Sequence, residues 1–259
     1  MAGAAATTSR FSADAEAGSL SGRVLNANAP VTSAPSPCLT TPNTGACIRT
    51  VLFGSFYRGY CLLDTLMASH RFNVVGVATD DPTQSFVARE RRVWSYPHQP
   101  WEATMVEDLA VRHGLPVYKS RVRTPAFRAV YSEVWQPELC ISATFGQRFD
   151  EPLFRYPRLG FYNLHPCHEG PWPSPYAGPN PFQALIDDGR DHCAVALHRV
   201  DAALDTGELI AWSPRIPIPP GVGVIDMHKM SAPLSAHFCL STLLKRLDDR
   251  EHGHEKAGC

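Results

Sequence analysis

From Ile48 onward, short unbroken apolar runs at residues 49–53, 72–79, 115–118 and 139–143 alternate with stretches whose apolar residues recur at helical spacing. The runs are too short for helices and read as strands buried on both faces. The stretches between them read as helices: residues 60–70; residues 101–113, closed by Gly114 at C′; and a helix capped by Thr124, with Pro125 in its first turn, running through Trp135. Residues 54–59 read as a turn and residues 81–100 as a long polar loop. Strand, helix, strand in this order predicts an α/β domain with a parallel sheet and right-handed crossovers. Further on, residues 161–164 form a strand, Asn180-Pro181 opens a helix to Asp188, residues 192–200 and 208–213 are strands, and a last helix covers residues 224–247 with a break at Pro233.

Residues 1–47 carry almost no large apolar side chains and are rich in Ala, Ser, Thr and Pro, so they are expected to be a disordered extension. The domain is expected over residues 48–250, followed by a polar tail at 251–259. The N-terminus lacks the basic head and solid apolar block of a secretory signal. Its poverty in acids, with Arg10 and Arg23, leaves a transit peptide as the alternative to a plain extension. A formal charge of -1 offers no basic field for nucleic acid, and no stretch approaches the roughly 18 apolar residues of a membrane helix. The expectation is a cytoplasmic protein without a nucleic-acid or membrane partner, with a homodimer as the candidate assembly. Eight cysteines without a CxxC pair look like reduced thiols. A zinc set drawn from His165, Cys167, His168, His192 and Cys193 matches no usual ligand spacing, and no metal is expected.

The chemistry concentrates between Gly160 and Pro181, where an apolar strand ends in Asn163-Leu164-His165 and enters a proline-rich loop. Side chains alternate along a strand, so Asn163 and His165 point to one face and Leu164 to the other. A glycine turn, residues 144–148, also follows a strand, and ligands gather beyond the carboxyl ends of parallel strands. The turns after Phe53, Ala143 and Leu164 are therefore expected side by side. The turn at 54–59 matches no dinucleotide or phosphate-loop motif and reads first as plain turn chemistry; the lesser alternative is that its amides and Arg58 hold an anionic group of an acceptor. With Asp205, the pair Asn163 and His165 makes a set for acyl transfer to an amine: an amide N–H for the developing oxyanion, an imidazole for the proton, and a carboxylate to orient it. Taken singly, an Asn-x-His at a strand end is more often a hydrogen-bonded core pair than a site, and an Asp-Thr-Gly in a loop is usually a turn; their joint appearance changes the reading.

Together, Asn163-Leu164-His165-Pro166, the Pro/aromatic loop to Tyr176-Ala177-Gly178, and Leu204-Asp205-Thr206-Gly207 resemble the folate-dependent formyltransferases, with further likeness at residues 137–146, 156–160 and 189–217. The resemblance implies a Rossmann-like, mostly parallel sheet with helices on both faces, 10-formyltetrahydrofolate as formyl donor, and an amine acceptor; chain length and the missing positive charge narrow that expectation to a small molecule, an amino sugar nucleotide or a specialised-metabolite amine or hydroxylamine. It implies Asn163, His165 and Asp205 as the catalytic set. It also implies a pterin pocket lined by Ala143, Thr144, Phe145, Gly146, Gln147 and Arg148, and by the loop from Val200 and Asp201 to Asp205. The chain departs from the family pattern where Cys167 replaces a serine, Ala177 replaces an arginine, and Gly178 lies thirteen residues past His165, four more than is usual. The length after residue 213 is expected to leave no room for the extra domain of the methionyl-tRNA enzymes. A formyltetrahydrofolate hydrolase and a folate-binding module without turnover are the alternatives to a transferase.

Overall fold

The computed structural model describes residues 24–25, 47–85 and 93–257, the first two and the last seven as backbone only. β2 (Ile48–Gly54) runs through the middle of the sheet, with β3 (Phe72–Ala78) on one side and β5 (Leu139–Ala143) on the other, both parallel to it. β4 (Val117–Tyr118) extends the parallel sheet beyond β3. β6 (Gly160–Cys167) continues it beyond β5. The last strands reverse direction: β7 (His192–Arg199) is antiparallel to β6, β8 (Leu209–Trp212) to β7, and β9 (Ile216–Pro217) pairs with the start of β7. The sheet is mostly parallel, as expected.

Alternation along the strands divides the core. Leu52, Val77 and Ile141 lie in one buried cluster with α1 (Phe56–Met67), α2 (Pro100–Arg112), α5 (Pro181–Asp187) and α6 (Val224–Ala257), through their Leu62, Leu66, Val106, Leu109, Leu185, Met227 and Cys239. Val51, Phe53, Cys140 and Phe161 face the opposite layer, built from Phe127 of α3 (Pro125–Ala129), Tyr131 and Trp135 of a π-turn (Val130–Trp135), and Leu153 of α4 (Glu151–Phe154). Strands covered on both faces must be apolar throughout, which is the pattern the sequence shows.

Four local features differ from expectation. α1 starts at Phe56, so the first helical turn absorbs Arg58 and Gly59 and turns Arg58 inward. The loop at 81–100 carries a 3₁₀ turn, Val93–Ser95, in which Trp94 is buried edge-on to Phe56 with ring centroids 5.5 Å apart; residues 86–92 lie outside the described residues. α6 passes through Pro233 without a break and continues to Ala257, because burial of Ala232, Ala236, Cys239 and Leu243 outweighs one missing backbone hydrogen bond. Within the expected N-terminal extension, Val24–Leu25 (β1) pairs in parallel with β4; the remainder up to residue 46 lies outside the described residues. Among the described residues, no helix is long and apolar enough to cross a membrane.

Candidate active site

Register places Gly54 of β2 beside Ala143 of β5, and Ala143 beside Leu164 of β6, so the turns after these strands open at one edge of the sheet. A cavity of about 370 Å³ lies there. Its walls are residues 144–149, 163–166 and 200–205, with Arg58, Asp80, Trp94, His198 and His228.

On the β6 side a polar network closes on itself. Asn163 and His165 share a face, and the loop after β7 brings Asp205 to both. Asn163 Nδ2 donates to Asp205 Oδ1 at 3.1 Å, and His165 Nδ1 stands 3.4 Å from Asp205 Oδ2. The rim loop contributes two backbone groups: Gly178 N–H donates to Asp205 Oδ2 at 3.2 Å, and the Tyr176 carbonyl faces His165 Nε2 at 2.9 Å. The long rim therefore reaches the polar centre. His198, a residue the sequence reading passed over, completes the set. It lies opposite Asn163 in the antiparallel register; its Nδ1–H donates to the Arg199 carbonyl at 2.8 Å, which leaves Nε2 to accept from Asn163 Nδ2 at 3.1 Å.

The backbone is bent to achieve this. Asp205 has φ +54°, a left-handed conformation that costs a non-glycine residue free energy and is found mostly where the surroundings enforce it. Thr144, on the facing wall, has φ +58°. Gly207 lets the loop press against β7, since a Cβ there would come within 2.0 Å of the Arg199 carbonyl oxygen. At Gly146 the N–H donates to Asp80 Oδ2, and a Cβ would meet that side-chain oxygen at 2.6 Å, so Asp80 would have to shift.

The expected pocket residues divide. Thr144, Phe145, Gly146, Gln147, Arg148, Val200 and Asp201 line the cavity. Ala143 does not; it is fully buried in the sheet, and Ser142, one position earlier, takes the wall. Alternation along β5 sets this parity. Gln147 is tied at both ends, to the Val122 N–H and the Ser120 carbonyl, and the Asp201 carboxylate braces its own loop by accepting from Thr206 Oγ1 and Ala203 N–H. The stacked rings of Phe145 and Phe149, 5.6 Å apart, add a flat apolar surface.

Burial sets the electrostatics. It drives the His165 imidazole below its ordinary pKa, against the opposing pull of Asp205 and the Tyr176 carbonyl, so the ring is neutral at neutral pH. Burial pushes the Asp205 carboxyl up, but His198, His165 and the Gly178 N–H together hold it below the usual carboxylate range. Burial also pushes the Cys167 thiol up to about 12, which leaves it inert as a nucleophile.

A second buried polar group lies across the cavity. Arg58 is 1% exposed, and its hydrogen-bond partners are the hydroxyls of Thr144 (3.2 Å), Ser231 (3.0 Å) and Ser235 (3.4 Å), with the Phe182 ring 5.5 Å below it. Among the described residues no ion pair joins it. Burial lowers its pKa to about 10. His228, packed edge-on to Phe182 at 4.9 Å, has a buried Nδ1 without a hydrogen-bond partner among the described residues, and burial together with Arg58 holds its pKa well below the ordinary value.

Comparison with known proteins points one way. The formyl transferase family model matches residues 50–229. The methionyl-tRNA formyltransferase of Roseiflexus castenholzii is 28% identical over 197 residues, covering 76% of this chain and 58% of the relative. That of Chlamydia trachomatis serovar L2b is 31% identical over 165 residues, covering 62% and 46%. The chain thus spans about half the length of these relatives. Among solved structures, phosphoribosylglycinamide formyltransferase from Bacillus halodurans superposes with a TM-score of 0.55 at 20% identity, covering 76% of this chain and 95% of that one. A formyltetrahydrofolate deformylase from Pseudomonas syringae gives 0.55 at 19%, covering 78% and 63%. At such identities the likeness is one of fold.

Proposed function

Given that the chain belongs to the formyl transferase family, we propose that it transfers a formyl group from 10-formyltetrahydrofolate to the amine of a small molecule, with Asn163, His165 and Asp205 as the catalytic set. The observation that carries this reading is the Asp205 carboxylate, which holds Asn163 with one oxygen and faces His165 with the other across 42 residues of chain. The acceptor nitrogen attacks the formyl carbon and a C–N bond forms. Negative charge gathers on the formyl oxygen, where an Asn163 N–H turned from Asp205 or His198 stabilises it. The proton shed by the amine passes to neutral His165. Each ring nitrogen of His165 faces an acceptor, so the imidazolium is held on both sides once formed. Collapse breaks the bond from the formyl carbon to folate nitrogen, which takes up the proton. The wall of Phe145, Phe149 and the backbone at 144–148 suits a flat heteroaromatic donor.

Arg58 supports an acceptor that carries a carboxylate or phosphate. A guanidinium removed from water and, among the described residues, satisfied by hydroxyls alone gains most from an anion entering the cavity. With a net charge of -1 the chain offers no basic field for a tRNA acceptor.

The test is release of tetrahydrofolate from 10-formyltetrahydrofolate in the presence of amines with and without an anionic group, and with no amine. Turnover that requires an anionic amine is the expected result. Turnover without any amine makes the protein a hydrolase, and folate binding without turnover makes it a binding module; either outcome overturns the proposal.

A further inference from the structure

Outside the cavity, the root of the rim loop and the start of β7 meet in a cluster of metal-ligand chemistry. His168 and Glu169 follow β6, and His192 opens β7. One nitrogen of each imidazole and one carboxylate oxygen of Glu169 lie within 4.8 Å of one another. The rings are 4.5 Å apart at their centroids, and none of the three residues lines the cavity.

The hydrogen bonds around the cluster select the ligand tautomers. His192 Nδ1 is held toward the Asp191 carboxylate at 2.6 Å, and its Nε2 is 3.1 Å from Glu169 Oε1, where an N–H donates to the carboxylate until a metal takes the place of that proton. A carboxylate behind a histidine is the usual second support of a bound metal. His168 Nδ1 bonds the Glu169 carbonyl at 2.9 Å, so its lone pair is on Nε2. Glu169 keeps its other oxygen, Oε2, buried and without a hydrogen-bond partner among the described residues. Beside two imidazoles, that unengaged carboxylate oxygen is a free lone pair for a metal.

We infer that His168, Glu169 and His192 form a binding site for a divalent transition metal of the zinc class, which fastens the rim loop to β7. Two imidazoles and a carboxylate are a zinc donor set, with bonds of about 2.0–2.2 Å and water completing the tetrahedron. Such bonds require ligand atoms about 3.3 Å apart, so the cluster must draw in from its present spread. Arg215, whose side chain is 71% exposed, now pairs with Glu169 Oε1 and moves to solvent when the metal enters. Consequently the metal competes with one surface guanidinium. Since the same rim supplies the Tyr176 carbonyl and Gly178 N–H to the polar centre, the metal stiffens the scaffold of that centre without touching it.

The full chain, stripped with a chelator, is loaded with zinc chloride, passed over a desalting column and assayed for metal and for thermal unfolding. The expected result is one zinc retained per chain and a rise in Tm of roughly 5–10 °C at a hundredfold excess over Kd. His168→Ala with His192→Ala removes both effects while leaving the metal-free Tm and circular dichroism close to wild type. Glu169→Gln, which keeps shape and loses charge, weakens retention, and Arg215→Met strengthens zinc binding several-fold. Cobalt in place of zinc gives the visible bands of a tetrahedral site in the wild type and not in the double variant. No retained zinc, or equal retention by the double variant, overturns the site. These readouts involve no formyl donor, so their outcome is independent of the proposed reaction.

Discussion

The two buried polar clusters of the cavity are built on opposite plans. Around Asp205, every charged or polar head has a protein partner: Asn163 donates to Asp205 and His198, His165 faces Asp205 and the Tyr176 carbonyl, and Gly178 closes the ring. Around Arg58, a guanidinium meets three hydroxyls and an aromatic face, and the neighbouring His228 Nδ1 has no hydrogen-bond partner among the described residues. A satisfied network in a low-dielectric site is held in place before any ligand arrives. An unpaired cation is costly until something brings the opposite charge. On the proposed reading, the first cluster carries preorganised chemistry and the second recognition.

The sharpest way to break that assignment is to cut the closed network. Asn163→Ala and His165→Ala are each expected to lower turnover about a hundredfold or more with folding intact by circular dichroism. Asp205→Asn is expected to fall as far, since it leaves His165 without its carboxylate. Turnover within tenfold of wild type in both alanine variants would remove the reaction centre from this cluster. The open cluster should respond differently. Arg58→Met is expected to raise KM for an anionic acceptor by about ten- to a hundredfold, the worth of one charge-assisted hydrogen bond, while kcat and folate affinity stay near wild type. Its urea midpoint should hold or rise, because a buried charge with no ion-pair partner among the described residues has been replaced by an apolar chain of similar length. A large fall in the midpoint would show Arg58 to be structural.

His198 separates support from chemistry inside the closed network. Its Nε2 accepts from Asn163, so His198→Leu leaves a buried N–H unsatisfied at a cost of about 1–3 kcal/mol. His198→Gln restores an acceptor. The leucine variant is expected to lose roughly tenfold in turnover as Asn163 loses its orientation, and the glutamine variant to recover most of it. Equal losses in both would mean that the imidazole itself takes part.

These contrasts explain what is legible in the sequence. The sheet is readable because strands covered on both faces must be apolar runs, and Asn163 and His165 share a face by alternation alone. The arrival of Asp205 is not local: it depends on a loop pressed against β7 and on a strained backbone at residue 205. His198 looks like one more position of an apolar strand, HCAVALHR, and only the antiparallel register with β6 sets it against Asn163. Ala143 and Ser142 differ by one step of parity at a strand end, which composition does not resolve. Arg58 reads as turn chemistry because two glycines flank it, whereas packing of α1 on the sheet draws residues 56–59 into the helix. Pro233 carries a strong local stop signal, yet the buried face of α6 overrides it.

The smallest effect to measure is the pH dependence of stability, and it reports on both clusters at once. His165 and His228 are buried with pKa values below that of the unfolded chain, so between the folded value and about 6.5 the unfolded state binds more protons. Stability is therefore complete above about pH 6.5 and falls as pH drops below it, by up to about 1.4 kcal/mol per pH unit for each histidine, until the folded pKa is reached. Asp205, whose folded pKa is depressed, keeps its contribution above about pH 3.9 and loses it only as pH falls further, so it does not enter this window. Urea melts between pH 7.5 and 5 should show the slope, and His228→Gln, at the ring held well below its ordinary value, should flatten it. Arg58→Met relieves part of the electrostatic pressure on His228, which moves the folded pKa of that ring toward its ordinary value and shortens the range over which stability falls. A slope unchanged in both variants would mean that His228 and Arg58 do not sense each other, and the cluster assigned to recognition would separate into two unrelated groups.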